Sequence, residues 1–221
     1  MGKYRIVIAG AGRIGSGFAW HDLEYTHAGS VNALKDRVEL VGFIEPNEER
    51  SDAAQILWKV PVYPDCKSGF DALQPDIVII ATQPGQQEYV LNHCVSRVKG
   101  ALVEKPYMAG KYDFPIQTNY LRRADPEHQR IAAECYVRTI HVWAKNDLHT
   151  WPHFMDLARW WEVNEVQYNI IDGPCSYRAE GKNLDRHFDN GGINPAECMK
   201  GMLSNLLDAI EGKAELWSPP Y

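Results

Sequence analysis

Short stretches of this sequence have the residue types and spacing to do chemistry. Gly10-Ala11-Gly12-Arg13-Ile14-Gly15 directly follows the apolar run Ile6-Val7-Ile8-Ala9. Glycines at these intervals permit a tight turn, close approach of a pyrophosphate and packing of the next helix on a sheet. Gly10, Gly12, Arg13, Ile14 and Gly15 are therefore expected to touch a dinucleotide, with the N-terminus of the following helix facing its phosphates. A purely structural turn is the plain alternative. Glu45 closes the next apolar run. A carboxylate there would accept hydrogen bonds from the adenosine ribose and repel a ribose phosphate, which predicts NAD rather than NADP; the alternative is a solvated surface glutamate. The interval from Gly10 to Glu45 exceeds the usual figure of about 20 residues, so an insertion is expected within His21 to Asp36.

Hydride transfer at a carbinol carbon needs a proton moved on the adjoining oxygen. A group titrating near the working pH can do this, or a donor can stabilise the developing alkoxide. Lys105 and His153 suit those tasks. Lys105 follows the strand-like Ala101-Leu102-Val103, at the carboxyl edge where open parallel sheets bind ligands. His153 falls on the first turn of a helix, where the dipole would lower its pKa. The bland readings are a surface lysine before a proline and a structural histidine. Asp156, three residues on, shares a helix face with His153 and would either orient the imidazole or be a solvated charge. Leu157, Ala158 and Trp161 read as core.

The elements that must position these groups alternate. Strand-like runs at Tyr4 to Ala9, Val38 to Ile44, Asp76 to Thr82 and Ala101 to Val103 are separated by helix-forming stretches such as Glu48 to Trp58 and Gln86 to Arg97. Such alternation implies parallel strands with helical crossovers. Tyr107 to Gln117 reads as an inter-domain connection. Beyond it the sequence predicts a helix at Pro126 to Glu134, a strand at Cys135 to Trp143, a helix at Pro152 to Trp161, a loop at Asp172 to Pro195 and a final helix at Ala196 to Glu211. The expected fold is thus α/β: a Rossmann domain with a parallel sheet over residues 1–106, then a reduced α+β substrate and dimerisation domain over 107–221.

Composition limits the partners. A net charge of -6 without a Lys/Arg block argues against nucleic acid. Five cysteines, an odd number without a CxxC pair, suggest neither a disulfide framework nor a zinc knuckle, and favour a reducing cytoplasm. The run Ile6 to Ala9 is too short for a signal-peptide core and nothing reaches membrane-spanning length, so neither a membrane partner nor a targeting signal is expected.

The ordered motifs resemble those of the glucose-fructose oxidoreductase, inositol dehydrogenase and rhizopine-catabolism (Gfo/Idh/MocA-type) oxidoreductases. Gly10 to Gly15 opens the match. Ile80-Ala81-Thr82-Gln83-Pro84 is similar to the family's strand-end turn beside the nicotinamide, and Leu102-Val103-Glu104-Lys105-Pro106 to its signature Glu-Lys-Pro. Asn119 to Pro126 resembles the entry to the substrate domain, and His153 to Trp161 the catalytic helix. The resemblance implies that Thr82, Gln83, Pro84, Glu104 and Lys105 contact the cofactor. Tyr120 and Arg123 are expected either to line the substrate pocket, where they would suit a hydroxylated or anionic substrate, or to take exposed or packing roles; His149, standing where the family often has an aspartate, is counted with the substrate-facing residues. A homodimer paired through the second-domain sheet is implied too.

The resulting expectation is an NAD(H)-dependent dehydrogenase acting on a sugar, cyclitol or related polyol. Two other classes stand beside it: a non-catalytic dinucleotide-binding or sensor protein, and a metal-dependent hydrolase using His149, His153 and Asp156. The hydrolase lacks an HExxH pattern, and no metal is expected.

Overall fold

The computed structural model describes residues 2–107, 110, 112–145, 150–189 and 191–219. The chain forms two compact units: residues 1–119 with 199–221, and residues 120–198.

In the first unit, β1 (Tyr4–Ala9), β2 (Val38–Ile44), β3 (Val62–Tyr63), β4 (Ile77–Ile80), β5 (Gly100–Val103) and β6 (Ile116–Thr118) make one sheet in the order β3-β2-β1-β4-β5-β6, every pairing parallel. That is the order of the dinucleotide-binding folds, with its switch point between β1 and β4. Parallel sheets need cover on both faces. The sequence provides for this with unbroken apolar runs: every residue of β4 and β5 is buried, as are Ile6 to Ala9 of β1. Crossovers are supplied by α1 (Arg13–Ser16), α2 (His27–Ala33), α3 (Glu48–Trp58), α4 (Cys66–Leu73) and α5 (Pro84–Cys94). Asn47, Asp65 and Thr26 cap α3, α4 and α2 by accepting from the backbone N–H three residues on.

The first crossover departs from expectation. The break falls at Gly17 to Thr26, starting ahead of His21: α1 stops after four residues at Gly17, which has φ 88, and α2 restarts behind the Thr26 cap. The indole N–H of Trp58 donates to the Ser16 carbonyl, satisfying one group at the interruption.

The sheet also runs past the boundary expected at residue 106. Tyr107 to Gln117 is not simply a connection, because β6 adds an edge strand that a three-residue Ile-Gln-Thr run could not announce by periodicity. The chain's end returns to this unit as well. The last helix, α8 (Pro195–Ile210), crosses the unit boundary after Cys198. Its carbonyl at Met202 accepts from the Gln117 amide, and Arg37 pairs with Asp208 and with Glu211 just beyond the helix.

The second unit contains α6 (Pro126–Glu134), β7 (Tyr136–Ala144), α7 (Trp151–Trp160), β8 (Glu165–Ile170), β9 (Ser176–Lys182) and β10 (Leu184–Phe188). Its sheet is mixed, in the order β10-β9-β7-β8, with β7 and β8 parallel and the others antiparallel. The loop expected over Asp172 to Pro195 is in large part this β9–β10 hairpin, turning at Asn183 with φ 59. Its inward positions include Ala179 and Gly181, too small to show an apolar alternation; a Cβ at Gly181 would lie 1.8 Å from the Tyr136 carbonyl oxygen.

A buried polar chain sits in this unit's core among Trp161, Phe188 and Tyr177. Asp125 and the Tyr177 hydroxyl bind opposite nitrogens of the fully buried His128. Burial lowers the His128 pKa from 6.5 and outweighs the hydrogen bond and charge of Asp125; burial also pushes the Tyr177 hydroxyl far up. Tyr177 therefore donates to Nε2 while Nδ1–H donates to Asp125, which satisfies a neutral ring. Because the folded pKa is depressed, the stabilisation is present above the unfolded value of about 6.5 and is lost as pH falls through the folded value. The melting temperature of the protein is therefore expected to fall as pH drops below about 6.5, and His128→Gln to flatten that step in thermal melts. An unchanged slope in the variant would place the acid sensitivity elsewhere.

Candidate active site

The glycine loop is built at the switch point. Gly10 leaves β1 with φ 97, and its backbone N–H donates to Ile44, the last residue of β2. A Cβ on Gly10 would lie 2.7 Å from the Ala81 carbonyl oxygen, and one on Gly15 2.0 Å from that of Gly10. Glycine is thus required at both positions for close backbone packing. Gly12 differs: nothing lies within 4 Å of a Cβ there, so space opens above the loop. Arg13 is exposed and lies over the Trp20 ring, 5.2 Å from its centroid, and Ile14 is half-buried. The helix behind the loop is shorter than expected. Four residues supply little macrodipole, so the anion-binding capacity rests on the local N–H groups rather than on a long helix.

Glu45 is not a solvated charge. It is 6% exposed; one carboxylate oxygen accepts from the Ala11 N–H at 2.8 Å and the other from the Asn47 N–H at 3.0 Å. The side chain predicted to meet the ribose therefore also holds the glycine loop in place. Across the switch point, Thr82 follows β4 with its Oγ1 buried and unpartnered, Gln83 stands at the N-cap position of α5 without a side-chain cap bond, and Pro84 opens that helix. Open space over Gly12 and an unpartnered hydroxyl at Thr82 fit a dinucleotide lying across the carboxyl ends of β1 and β4.

Glu104 and Lys105 follow β5. The Glu104 N–H continues the sheet ladder to Ile80, and its carbonyl accepts from the Gln87 amide at 2.6 Å. One side-chain oxygen, Oε1, accepts from His27 Nε2 at 3.0 Å and from Asn119 Nδ2 at 2.6 Å. Burial alone would raise the Glu104 carboxyl, but the His27 and Asn119 hydrogen bonds and the His27 and Lys105 charges hold it below the usual range. Lys105 is half-buried, and its peptide bond to Pro106 is cis. Sequence reasoning assigned no role to His27, Gln87 or Asn119; they come from three separate segments, and no spacing rule joins them.

The second unit holds the other candidates. His153 lies in the first turn of α7, its N–H bonded to the Thr150 carbonyl, with the Tyr120 ring edge-on at a centroid distance of 6.2 Å. Tyr120 is buried; burial first, and then the Asp156 charge, raise its pKa. Asp156 is 3% exposed, which overturns the solvated reading, and Arg123, itself buried, grips both carboxylate oxygens at 2.8–3.1 Å. Arg123 is thereby the partner of Asp156, and the metal reading loses a carboxylate already engaged. Among the described residues no three His, Cys, Asp or Glu side chains gather as a metal site. His149 lies outside the described residues. Leu157, Ala158 and Trp161 are buried as expected.

The family described as "Oxidoreductase family, NAD-binding Rossmann fold", Gfo/Idh/MocA, matches residues 4–114, half of the chain. This chain belongs to that family. The segments expected to bind the cofactor, from Gly10 through Glu45 and Thr82 to Lys105, all fall inside the matched part of this NAD-binding oxidoreductase. No curated protein is similar enough in sequence to match it.

The fold of this oxidoreductase recurs in solved structures of low identity. A myo-inositol dehydrogenase from Corynebacterium glutamicum is 15% identical with a TM-score of 0.70, over 96% of this chain and 90% of that one. The WlbA dehydrogenase from Bordetella pertussis, in complex with NADH and UDP-GlcNAcA, is 14% identical with a TM-score of 0.71, over 98% and 91%. A scyllo-inositol dehydrogenase from Lactobacillus casei is 13% identical with a TM-score of 0.70, over 96% and 88%.

Proposed function

We propose that this oxidoreductase transfers a hydride between NAD(H) and the carbinol or ketone carbon of a sugar, cyclitol or related polyol. One observation carries the reading: the glycine cradle, Thr82 and the Glu104-Lys105 turn all stand at the carboxyl ends of adjacent strands β1, β4 and β5 of one sheet. The nicotinamide supplies the hydride chemistry. Lys105 donates a hydrogen bond to the substrate oxygen and stabilises its developing negative charge. His153 takes the proton in oxidation and returns it in reduction. The named substrates of the similar structures, inositols and a nucleotide-linked sugar acid, support a polyhydroxylated substrate. A dinucleotide-binding protein without turnover is the second reading, favoured by the engagement of Asp156 with Arg123 and by His149 in the aspartate's place. A panel of inositols, aldoses and nucleotide sugars with NAD separates them: formation of reduced nicotinamide supports the enzyme, and its absence across the panel supports the binding protein.

Glu45 sets the cofactor in this reading. Its buried carboxylate repels a 2′-phosphate, so NADH is expected to bind on the order of tenfold or more tighter than NADPH. Fluorescence titration checks this, and equal affinities would remove Glu45 from the ribose. Because Glu45 also holds Ala11 and Asn47, Glu45→Ala is expected to weaken both cofactors.

We further propose a homodimer paired through the face of the second sheet opposite its core. That face carries the stacked His141 and Trp143 and the Arg178–Glu180 pair; light scattering at the monomer mass would refute it. The buried thiols of Cys66, Cys94 and Cys198 support a reducing, cytoplasmic setting. Among the described residues no helix is long and apolar enough to cross a membrane.

A further inference from the structure

We propose that His27 is a positioning residue of the oxidoreductase: its Nε2–H donates to Glu104 Oε1 and, together with Asn119, fixes that carboxylate in place beside Lys105. His27 is fully buried, and so is Asn119. The imidazole is held from behind. Thr26 caps the helix that His27 opens, the His27 carbonyl accepts from the Ser30 hydroxyl, and a Cβ at Gly29 would lie 2.1 Å from the Leu23 carbonyl oxygen. The break in the first crossover thus seats α2 closely enough to deliver His27 under the β5 turn.

The direction of the bond follows from the acceptor. Glu104 is held in its ionised form, which accepts hydrogen bonds and donates none, so Nε2 carries the hydrogen. The other ring nitrogen is buried without a hydrogen-bond partner, so Glu104 is the hydrogen-bonding function of this ring. Both donors converge on Oε1, leaving the second oxygen of Glu104 unencumbered by them. Gln87 fixes the backbone of the same residue, so side chain and main chain are held separately. A carboxylate fixed in this way keeps negative charge next to Lys105 and limits the orientations of the turn that carries it. The consequence for turnover rests on the role proposed above for Lys105; the hydrogen bond itself does not.

Two readouts keep these apart. The Glu104 carboxyl is followed with 13C-labelled glutamate in the protein without cofactor, its signal assigned by loss in Glu104→Gln. The groups facing it are His27 from α2, Asn119 after β6, and Lys105, while Gln87 from α5 holds the backbone carbonyl of the same residue. In His27→Leu, which keeps volume and removes the donor, the titration midpoint is expected to rise by about one pH unit or more. His27→Gln, which keeps a donor of similar reach, is expected to restore most of it. With a substrate in hand, kcat is expected to fall about 10- to 100-fold in His27→Leu and to recover in His27→Gln, with KM for the cofactor within about twofold of wild type. Should His27→Leu fail to fold, Asn119→Ala removes the other donor from the same oxygen and is expected to move both readouts the same way. An unmoved Glu104 midpoint would overturn the hydrogen-bond role. A moved midpoint with unchanged kcat would overturn the positioning role. A wild type that turns over no polyol defeats the hydride-transfer reading instead, and the titration still reports on His27.

Discussion

Lys105→Ala and His153→Ala are each expected to lower kcat on the order of 100-fold or more, the scale of acid-base catalysis, with little change in NADH affinity. Both side chains are half-buried, so each can meet a ligand without being a free surface group. Lys105 follows directly on Glu104, whose backbone is tied to β4 and α5, and His153 sits on a helix whose inner face packs Phe154, Leu157 and Ala158. Truncating either removes a proposed reacting group and leaves its support standing. A substrate-saturated pH profile should show a histidine-like ionisation that disappears in His153→Ala. Wild-type turnover in both alanine variants would remove these residues from the chemistry, whatever the fold.

Gly12→Val is expected to weaken NADH binding on the order of 100-fold while leaving the melting temperature unchanged. The position has φ -76 and ψ -164, which any residue adopts, and open space where a Cβ would stand. The side chain enters that space, where the pyrophosphate is expected, and its Cβ has no neighbour within 4 Å. Gly15→Ala is the contrast. Its Cβ would lie 2.0 Å from the Gly10 carbonyl oxygen, so it should destabilise the fold itself by about 1 to 3 kcal/mol or more. Calorimetry with NADH, paired with thermal melts, separates the two. Retained affinity in Gly12→Val would move the phosphates away from the loop.

What could be read in advance followed the strength of the local signal. β1 and β4 were legible because strands covered on both faces must be continuously apolar, and Ile6-Val7-Ile8-Ala9 and Ile77-Val78-Ile79-Ile80 are. β6 was not, since Ile116-Gln117-Thr118 hides its middle residue by giving the Gln117 amide a carbonyl on α8. Nor was the β9–β10 hairpin, whose core side includes an alanine and a glycine. In the site, motifs within one stretch were visible and partnerships across the chain were not. Arg123 and Asp156 each drew a separate role from the sequence, yet they satisfy one another across 33 residues. Glu45 was assigned to a ligand from its place at a strand end; its grip on Ala11 depends on the path of a loop 34 residues away. The first-crossover insertion was visible as excess length, but His27, the residue it delivers to Glu104, carries no mark in the sequence.

Isotope transfer follows the proposed hydride itself, between a polyol carbon and NAD. The protein is incubated with NAD and inositols or sugars deuterated at their carbinol carbons, and the reduced cofactor is analysed by mass spectrometry. Deuterium is expected at the nicotinamide ring with at least one substrate, and loss of that transfer in Lys105→Ala. NAD bound with ordinary affinity, but no deuterium gained from any member of the panel, would contradict hydride transfer.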